Sequence, residues 1–175
     1  LEVWVPLPKN DPGVQEISDL EITAPDGWEI TSDRVYGNEM VHVVVNDATK
    51  PTVLSWTARV QRFQDSGQGK GAMSPRYLLA NERIPVDGKA LDLAEKTGAR
   101  DQARPLEARA KSIYDDVLHE MIYDKTGMGW GLGDFEHAVT VCKGNCTDFH
   151  SRFIGVGRAA GIPVRFTMGI PMKPV

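Results

Sequence analysis

Cys146 is the residue of this sequence best placed for covalent chemistry. It follows the turn residues Gly144 and Asn145, and the next helix stop along the chain is Gly161 followed by Pro163. This pattern predicts a helix of about four turns with the cysteine in its first turn. The N–H groups and dipole of a helix N-terminus favour a thiolate and can also hold the oxyanion formed when a thiolate attacks a carbonyl. The position therefore indicates a nucleophile for acyl transfer.

A helical wheel drawn for this segment has one apolar side. The apolar side carries Cys146 with Phe149, Phe153, Val156, Gly157 and Ala160. The opposite side carries Asp148, Ser151, Arg152 and Arg158. We expect the apolar side to be buried, with Cys146 as its first residue, and a neighbouring element to approach closely at Gly157.

Three other interpretations of Cys146 stay open at this point. It is also a small apolar residue that could simply be buried. Cys142 and Cys146 could form a redox pair, although their Cys-x3-Cys spacing is not the Cys-x-x-Cys of thioredoxin-like sites. A metal site built from Cys142, Cys146 and His150 would need a fourth ligand.

Two further side chains, His150 and Trp130, are candidates for supporting roles. His150 lies one helical turn after Cys146, where a base is poorly placed to reach a carbonyl substrate, so we interpret it as a supporting or core histidine. Trp130 lies in the glycine-rich segment 126–134, which lacks the Gly-Lys-Ser/Thr ending of a phosphate-binding loop. That segment is either a surface turn or a wall of an active-site cleft with Trp130 exposed to substrate. The remaining histidines, His42, His119 and His137, are interpreted as structural or solvated.

The first part of the chain is expected to be β-rich. Residues 41–45 and 53–60 are rich in β-branched or aromatic residues and are separated by turn residues, which predicts short antiparallel strands of a sandwich-like domain over 1–64. Pro6 and Pro8 are expected to end or edge the first strand. Residues 65–76 are predicted to be a flexible linker.

The second part is expected to be helical. Residues 65–104 are predicted to comprise the linker and a short helix capped by Asp87. A longer helix after Pro105 opens a core over 105–175, with Glu107 and Lys111 as an i,i+4 pair. The apolar stripe of that helix is Leu106, Ala110, Ile113, Val117 and Met121. One strand is predicted near the end, at 164–168.

Composition excludes several classes of function. The 175 residues are 41% hydrophobic, which is enough to bury a core, and the formal charge of −4 argues against nucleic acid or an anionic membrane as the main partner. No apolar run approaches the length of a membrane span. The first residue is Leu1 rather than Met, so we expect the chain to be a piece of a longer protein.

Residues 144–166 resemble the core of the transglutaminase-like superfamily, a branch of the papain-like thiol enzymes. The matching motifs are Gly-Asn-Cys-Thr-Asp-Phe-His at 144–150 and Arg-Ala-Ala-Gly-Ile-Pro-Val-Arg-Phe at 158–166. Residues 110–117 are similar to the helix that precedes this core in bacterial members. The resemblance implies an α+β fold, with an N-terminal antiparallel β-sandwich-like domain followed by a truncated core that carries the nucleophile at a helix N-terminus.

In that family a cysteine, a histidine and an aspartate work together on an amide of a protein or peptide. Water as the acceptor gives a cysteine peptidase, and an amine gives cross-linking. Only Cys146 can be transferred to this chain as catalytic, because the family histidine lies on a later strand and no histidine follows His150. We therefore expect a thiol enzyme whose present fragment is inactive, or alternatively a non-catalytic binding or scaffold protein that retained the fold.

The resemblance also bears on partners and location. It implies no cofactor, and the calcium sites of animal members have no counterpart in the sequence. Bacterial members are often exported, which favours a periplasmic or secreted location over a cytoplasmic one. The single predicted strand after the cysteine helix would leave an unfinished sheet edge, through which we expect self-association.

Overall fold

The computed structural model describes residues 1–64 and 74–170. The chain forms two compact units, residues 1–70 and 71–175. The first is built from antiparallel strands and the second mainly from helices, which confirms the predicted mixed α and β class. Within the described ranges no helix is both long and apolar enough to cross a membrane.

The predicted flexible linker falls mostly outside the described residues, which resume at Ser74. Its last residues belong to a 3₁₀ turn, Pro75–Leu78, in which the Arg76 N–H donates to the side chain of Ser74. The end of the predicted linker is therefore structured.

The first unit consists of two antiparallel sheets. One sheet has the order β1–β4–β3, comprising β1 (Glu2–Pro6), β4 (Glu39–Val44) and β3 (Glu29–Ser32). The other pairs β2 (Gln15–Thr23) with β5 (Ser55–Arg62). The central strand β4 buries Val41 and Val43, the alternate residues of one strand face. The antiparallel strands predicted from the sequence are confirmed, and β1 ends at a proline as expected.

In its described residues the second unit contains, besides the 3₁₀ turn, four α-helices and a short parallel strand pair. The helices are α1 (Lys89–Lys96), α2 (Leu106–Glu120), α3 (Phe135–Thr140) and α4 (Cys146–Ala159). The strands are β6 (Ile122–Tyr123) and β7 (Lys143–Gly144). Helix α4 packs against the other three helices, so it is the centre of this unit.

Two predicted details of the helices are wrong. Gly88 rather than Asp87 stands at the N-cap of α1, and no side chain caps that helix. Lys111 pairs with Asp115 at 2.6 Å, one turn further along α2, instead of with Glu107. Both pairings are open to a lysine in the middle of a helix, so spacing alone could not choose between them.

Helix α4 is buried on nearly all sides after its first turn, which corrects the predicted single apolar face. Asp148, Ser151 and Arg152 were expected on the solvent side but are at most 3% exposed. Cys146 was expected to begin the buried face but is exposed. A helix surrounded by three others has no solvent face for a wheel to identify, and each buried polar side chain has a hydrogen-bond partner here.

Two glycines allow the close packing around α4. A Cβ at Gly157 would lie 2.7 Å from Val164, which confirms the close approach expected at this position. A Cβ at Gly155 would overlap the ring of Phe135, a side chain with no exposed surface. The surrounding core is formed by Ala90, Ala94, Ala99, Ile113, Phe135, Val156, Ala160 and Ile162.

The strand predicted at 164–168 is absent, because residues 162–170 form no regular element. The Val164 N–H donates to the Tyr77 carbonyl at 3.0 Å, and the Val164 carbonyl accepts from Arg158 Nη2 at 2.9 Å. Both backbone groups of Val164 are thus used by the 3₁₀ turn and by α4 instead of by a sheet. These residues therefore form no unfinished sheet edge. The self-association that was expected from such an edge has no support at these residues.

Residues 74–90 supply further backbone partners to the helical unit. Arg158 Nη1 donates to the Leu79 carbonyl at 2.8 Å, and the Phe135 N–H donates to the Arg83 carbonyl at 2.9 Å. Ala90 is fully buried in the core. The segment before α1 therefore belongs to the packing of this unit.

Candidate thiol site

Strand β7 leads directly into the residues that begin α4. The Asn145 side chain accepts from the Thr147 N–H at 2.9 Å, and the Asn145 carbonyl accepts from the N–H groups of Asp148 and Phe149 at 3.1 and 3.2 Å. The N–H of Cys146 has no acceptor in the described part of the chain. An unused donor and an exposed thiol therefore belong to the same residue.

Asp148 connects this helix start to the glycine-rich loop at 126–134. Its Oδ2 accepts from the Gly131 N–H at 2.7 Å and from the Asn145 N–H at 2.9 Å, while Oδ1 accepts from the Gly133 N–H at 3.3 Å. Backbone N–H groups that converge in this way form an anion-binding concavity, and here the anion is a carboxylate of the chain itself. This role of Asp148 was not predicted from the sequence, although an acidic residue three positions after a capping Asn is the spacing of a capping box.

The loop approaches α4 too closely for side chains at two of its glycines. Gly131 and Gly133 have φ angles of 81° and 65°, which favour glycine. A Cβ at Gly131 would lie 3.2 Å from Asn145 Nδ2, and a Cβ at Gly133 would lie 2.9 Å from Thr147 Cγ2. The loop is therefore packed on the first turn of α4 and is not a free surface turn.

Trp130 stands between two glycines of this loop and is half-buried. Within the described residues, no hydrogen bond or ring contact joins it to Cys146 or His150. Trp130 directly precedes Gly131, whose N–H donates to Asp148 in the first turn of α4. The role of Trp130 at the site stays a prediction.

His150 contacts the backbone of Cys146 and not its thiol. His150 Nδ1 lies 2.6 Å from the Cys146 carbonyl, and because a carbonyl only accepts, Nδ1 carries the proton in this contact. The imidazole also packs against the ring of Phe166, and the two ring centroids are 4.7 Å apart. The structure thus anchors His150 to the turn that holds the cysteine, and across the described ranges the thiol of Cys146 has no hydrogen-bond partner.

Cys142 lies in a different environment. Its thiol is half-buried, donates to the Val139 carbonyl at 3.5 Å and receives an N–H from Arg152 Nη1 at 3.7 Å. Both cysteines are free thiols. Among the residues that the structure describes, no group of three His, Cys, Asp or Glu side chains could hold a metal ion, so the set of Cys142, Cys146 and His150 does not form one.

Asp124 holds the start of the glycine-rich loop. Its carboxylate accepts from the hydroxyl of Thr126 at 2.7 Å and from the Thr126 N–H at 2.9 Å, and Lys143 Nζ lies 3.4 Å away. The hydrogen bond from the Thr126 hydroxyl, followed by that from its N–H and by Lys143, lowers the pKa of Asp124 below its ordinary value. The carboxylate that opens the loop is therefore ionised over the whole neutral range.

Comparison with known families gives a match over the second half of the chain. Residues 91–175 match the model of the transglutaminase-like superfamily. The matched range includes α2, α3 and α4, and with them the thiol site.

One similar protein was found by comparing sequences and another by comparing structures. An uncharacterized protein of Haemophilus influenzae is 28% identical over 185 residues, covering 96% of this chain and 49% of the relative. The chain thus spans about half the length of this curated relative. The crystal structure of a candidate cysteine protease from Cytophaga hutchinsonii superposes with a TM-score of 0.66 at 18% identity, covering 93% of this chain and 59% of that one. At this identity the likeness shows the fold.

Proposed function

Since residues 91–175 of this chain belong to the transglutaminase-like superfamily, we propose that Cys146 is the nucleophile of a cysteine peptidase or acyl transferase that acts on protein or peptide amides. The observation that carries the proposal is the helix start, where an exposed thiol and an N–H without an acceptor in the described residues belong to one residue. A thiol nucleophile and a donor for its oxyanion are the two groups that the first step of amide attack requires.

The reaction follows from these two groups. The thiolate of Cys146 attacks the amide carbonyl carbon, and the oxyanion accepts a hydrogen bond from the Cys146 N–H. The C–N bond then breaks, the amine leaves with a proton, and a thioester remains on Cys146. Water resolves the thioester to an acid, whereas a second amine resolves it to a new amide.

A proton donor for the leaving amine must come from elsewhere. In the described ranges no imidazole is bonded to the Cys146 thiol, and the Nδ1 proton of His150 is engaged by the Cys146 carbonyl. We assign His150 a supporting role, in which it holds the first turn of α4. We assign Trp130 to the substrate side of the glycine-rich loop, and we assign the general base to none of the described residues.

The first step can be tested on this chain with an activated ester, which needs no acid to release its leaving group. We expect p-nitrophenyl acetate to acylate Cys146 in a single turnover, and Cys146→Ala to remove that acylation while the matched variant Cys142→Ala retains it. Peptide mapping by mass spectrometry locates the acetyl group. Acylation of Cys146 no faster than that of free glutathione at the same pH would contradict the proposal and favour a non-catalytic protein that retained the fold.

A further inference from the structure

We propose that Asp148 is a positioning residue for the Cys146 site. Its buried carboxylate fixes the glycine-rich loop against the start of α4 and reserves the Cys146 N–H for a substrate oxygen. The inference rests on the proposed role of Cys146 as nucleophile, and it adds a residue that the wheel had placed in solvent.

The hydrogen bonds at the helix start support this selectivity. The first turn of a helix has N–H groups without helical partners. Here the N–H of Asn145 is taken by Asp148, that of Thr147 by the Asn145 side chain, and those of Asp148 and Phe149 by the Asn145 carbonyl. Within the described residues, Cys146 is left as the donor of this turn that has no acceptor.

The environment of Asp148 explains why the loop depends on it. The side chain has no exposed surface, and across the described residues it has no cationic partner within ion-pair distance. A buried carboxylate is costly unless it is hydrogen-bonded. Two of the three N–H groups that satisfy it come from Gly131 and Gly133, so the carboxylate and the loop hold each other in place.

Two reagents separate a positioning role from a general effect on folding. Iodoacetamide alkylates the thiolate by displacement, without forming an oxyanion. p-Nitrophenyl acetate acylates the same thiolate through a tetrahedral oxyanion. The ratio of the two rates at Cys146 therefore reports the oxyanion donor and cancels changes in thiolate fraction.

We expect Asp148→Asn, which keeps the size but loses the charge, to lower this ratio at least about tenfold, a part of the ~10²–10³ loss typical of a removed oxyanion donor. The matched control is Val117→Ala, which destabilises the packing of α2 on α4 at a buried position away from the loop. The control is expected to lower the melting temperature and leave the ratio unchanged.

A second pair of variants changes residues of the loop and leaves the sequence of α4 unchanged. Gly131→Ala and Gly127→Ala introduce the same unfavourable backbone, since their φ angles are 81° and 84°. Only the Cβ at Gly131 meets a neighbour, Asn145 Nδ2, whereas the Cβ at Gly127 meets nothing within 4 Å. We expect the ratio to fall for Gly131→Ala and to stay at the wild-type value for Gly127→Ala.

Amide hydrogen exchange completes the test. The wild-type chain should protect the amides of Gly131 and Gly133 and leave that of Cys146 fast. Because asparagine keeps one acceptor oxygen in place of two, Asp148→Asn should abolish the protection of at least one of the two glycines. An unchanged ratio in Asp148→Asn and Gly131→Ala, or glycine amides that stay protected in Asp148→Asn, would overturn the positioning role alone. A wild-type Cys146 that is not acylated would refute the proposed function, and the exchange result would then still decide whether Asp148 fixes the loop.

Discussion

Removal of the Asp116 carboxylate would test the orientation of α4 directly. Asp116 on α2 accepts from Arg152 Nη2 at 2.8 Å and from Nε at 3.0 Å. The two side chains are 9% and 3% exposed. The substitution Asp116→Ala leaves the guanidinium buried, and the weak contact to the Cys142 sulfur is then its remaining hydrogen bond among the described residues.

The expected magnitude follows from this burial. An isolated buried charge costs about 3–5 kcal/mol when its partner is removed. If Arg152 lay on a solvent face, as the helical wheel predicted, the same substitution would cost about 0–1 kcal/mol. The two orientations of α4 therefore differ by several kcal/mol in the free energy of unfolding.

Urea denaturation followed by circular dichroism measures the difference. With an m-value of about 2 kcal/mol/M, a loss of about 4 kcal/mol lowers the urea midpoint by about 2 M. The neighbouring Asp115→Ala is the matched control, because it removes an ion pair to Lys111 that is exposed on the same helix. We expect this control to cost about 0.3–0.5 kcal/mol.

A double variant tests the cause of the loss. Asp116→Ala combined with Arg152→Met removes both charges, so we expect most of the lost stability to return. A single Asp116→Ala variant that costs less than about 1 kcal/mol would refute the buried pair. A double variant as unstable as the sum of both single variants would show that packing, not charge, causes the loss.

Three further predictions concern the exposure of Cys146, the packing at Gly155 and the hydrogen bonds of Asp124. Cys146 should react with iodoacetamide at pH 6–7 faster than the half-buried Cys142, and equal slow labelling by mass spectrometry would contradict this. Gly155→Ala should cost about 1–3 kcal/mol by overpacking, and Phe135→Leu in the same chain should relieve part of it, as thermal unfolding would show. Asp124→Asn should lower the melting temperature at pH 7. The lowered pKa of Asp124 stabilises the fold at pH values above the ordinary value of 3.8. The difference in melting temperature between the variant and the wild type should therefore shrink as the pH falls below 3.8.

The sequence was sufficient for some of the elements and for the start of the cysteine helix. Turn residues before Cys146 and the Gly161 stop predicted α4, which runs from Cys146 to Ala159. Strand patterns predicted two of the antiparallel strands, now β4 and β5. These features depend on local preferences, which a single sequence records directly.

The environment of α4 could not be predicted, because it depends on contacts distant in sequence. Arg152 is paired with Asp116, 36 residues away, and the polar face of the wheel is therefore buried. Asp148 finds two of its three donors in a loop 15 to 17 residues earlier. The segment 164–168 has the composition of a strand, but the N–H and the carbonyl of its first residue, Val164, are bonded to Tyr77 and Arg158. Pattern alone cannot show which partner a backbone group will find.

The backbone partners supplied by residues 74–90 have a practical consequence for cutting the chain. The family match begins at residue 91, but a protein that started there would lack the carbonyl acceptors of Tyr77, Leu79 and Arg83. It would also lack Ala90 from the core. The smallest piece with an intact packing around Cys146 therefore begins at about Ser74, well before the stretch that sequence comparison marks out.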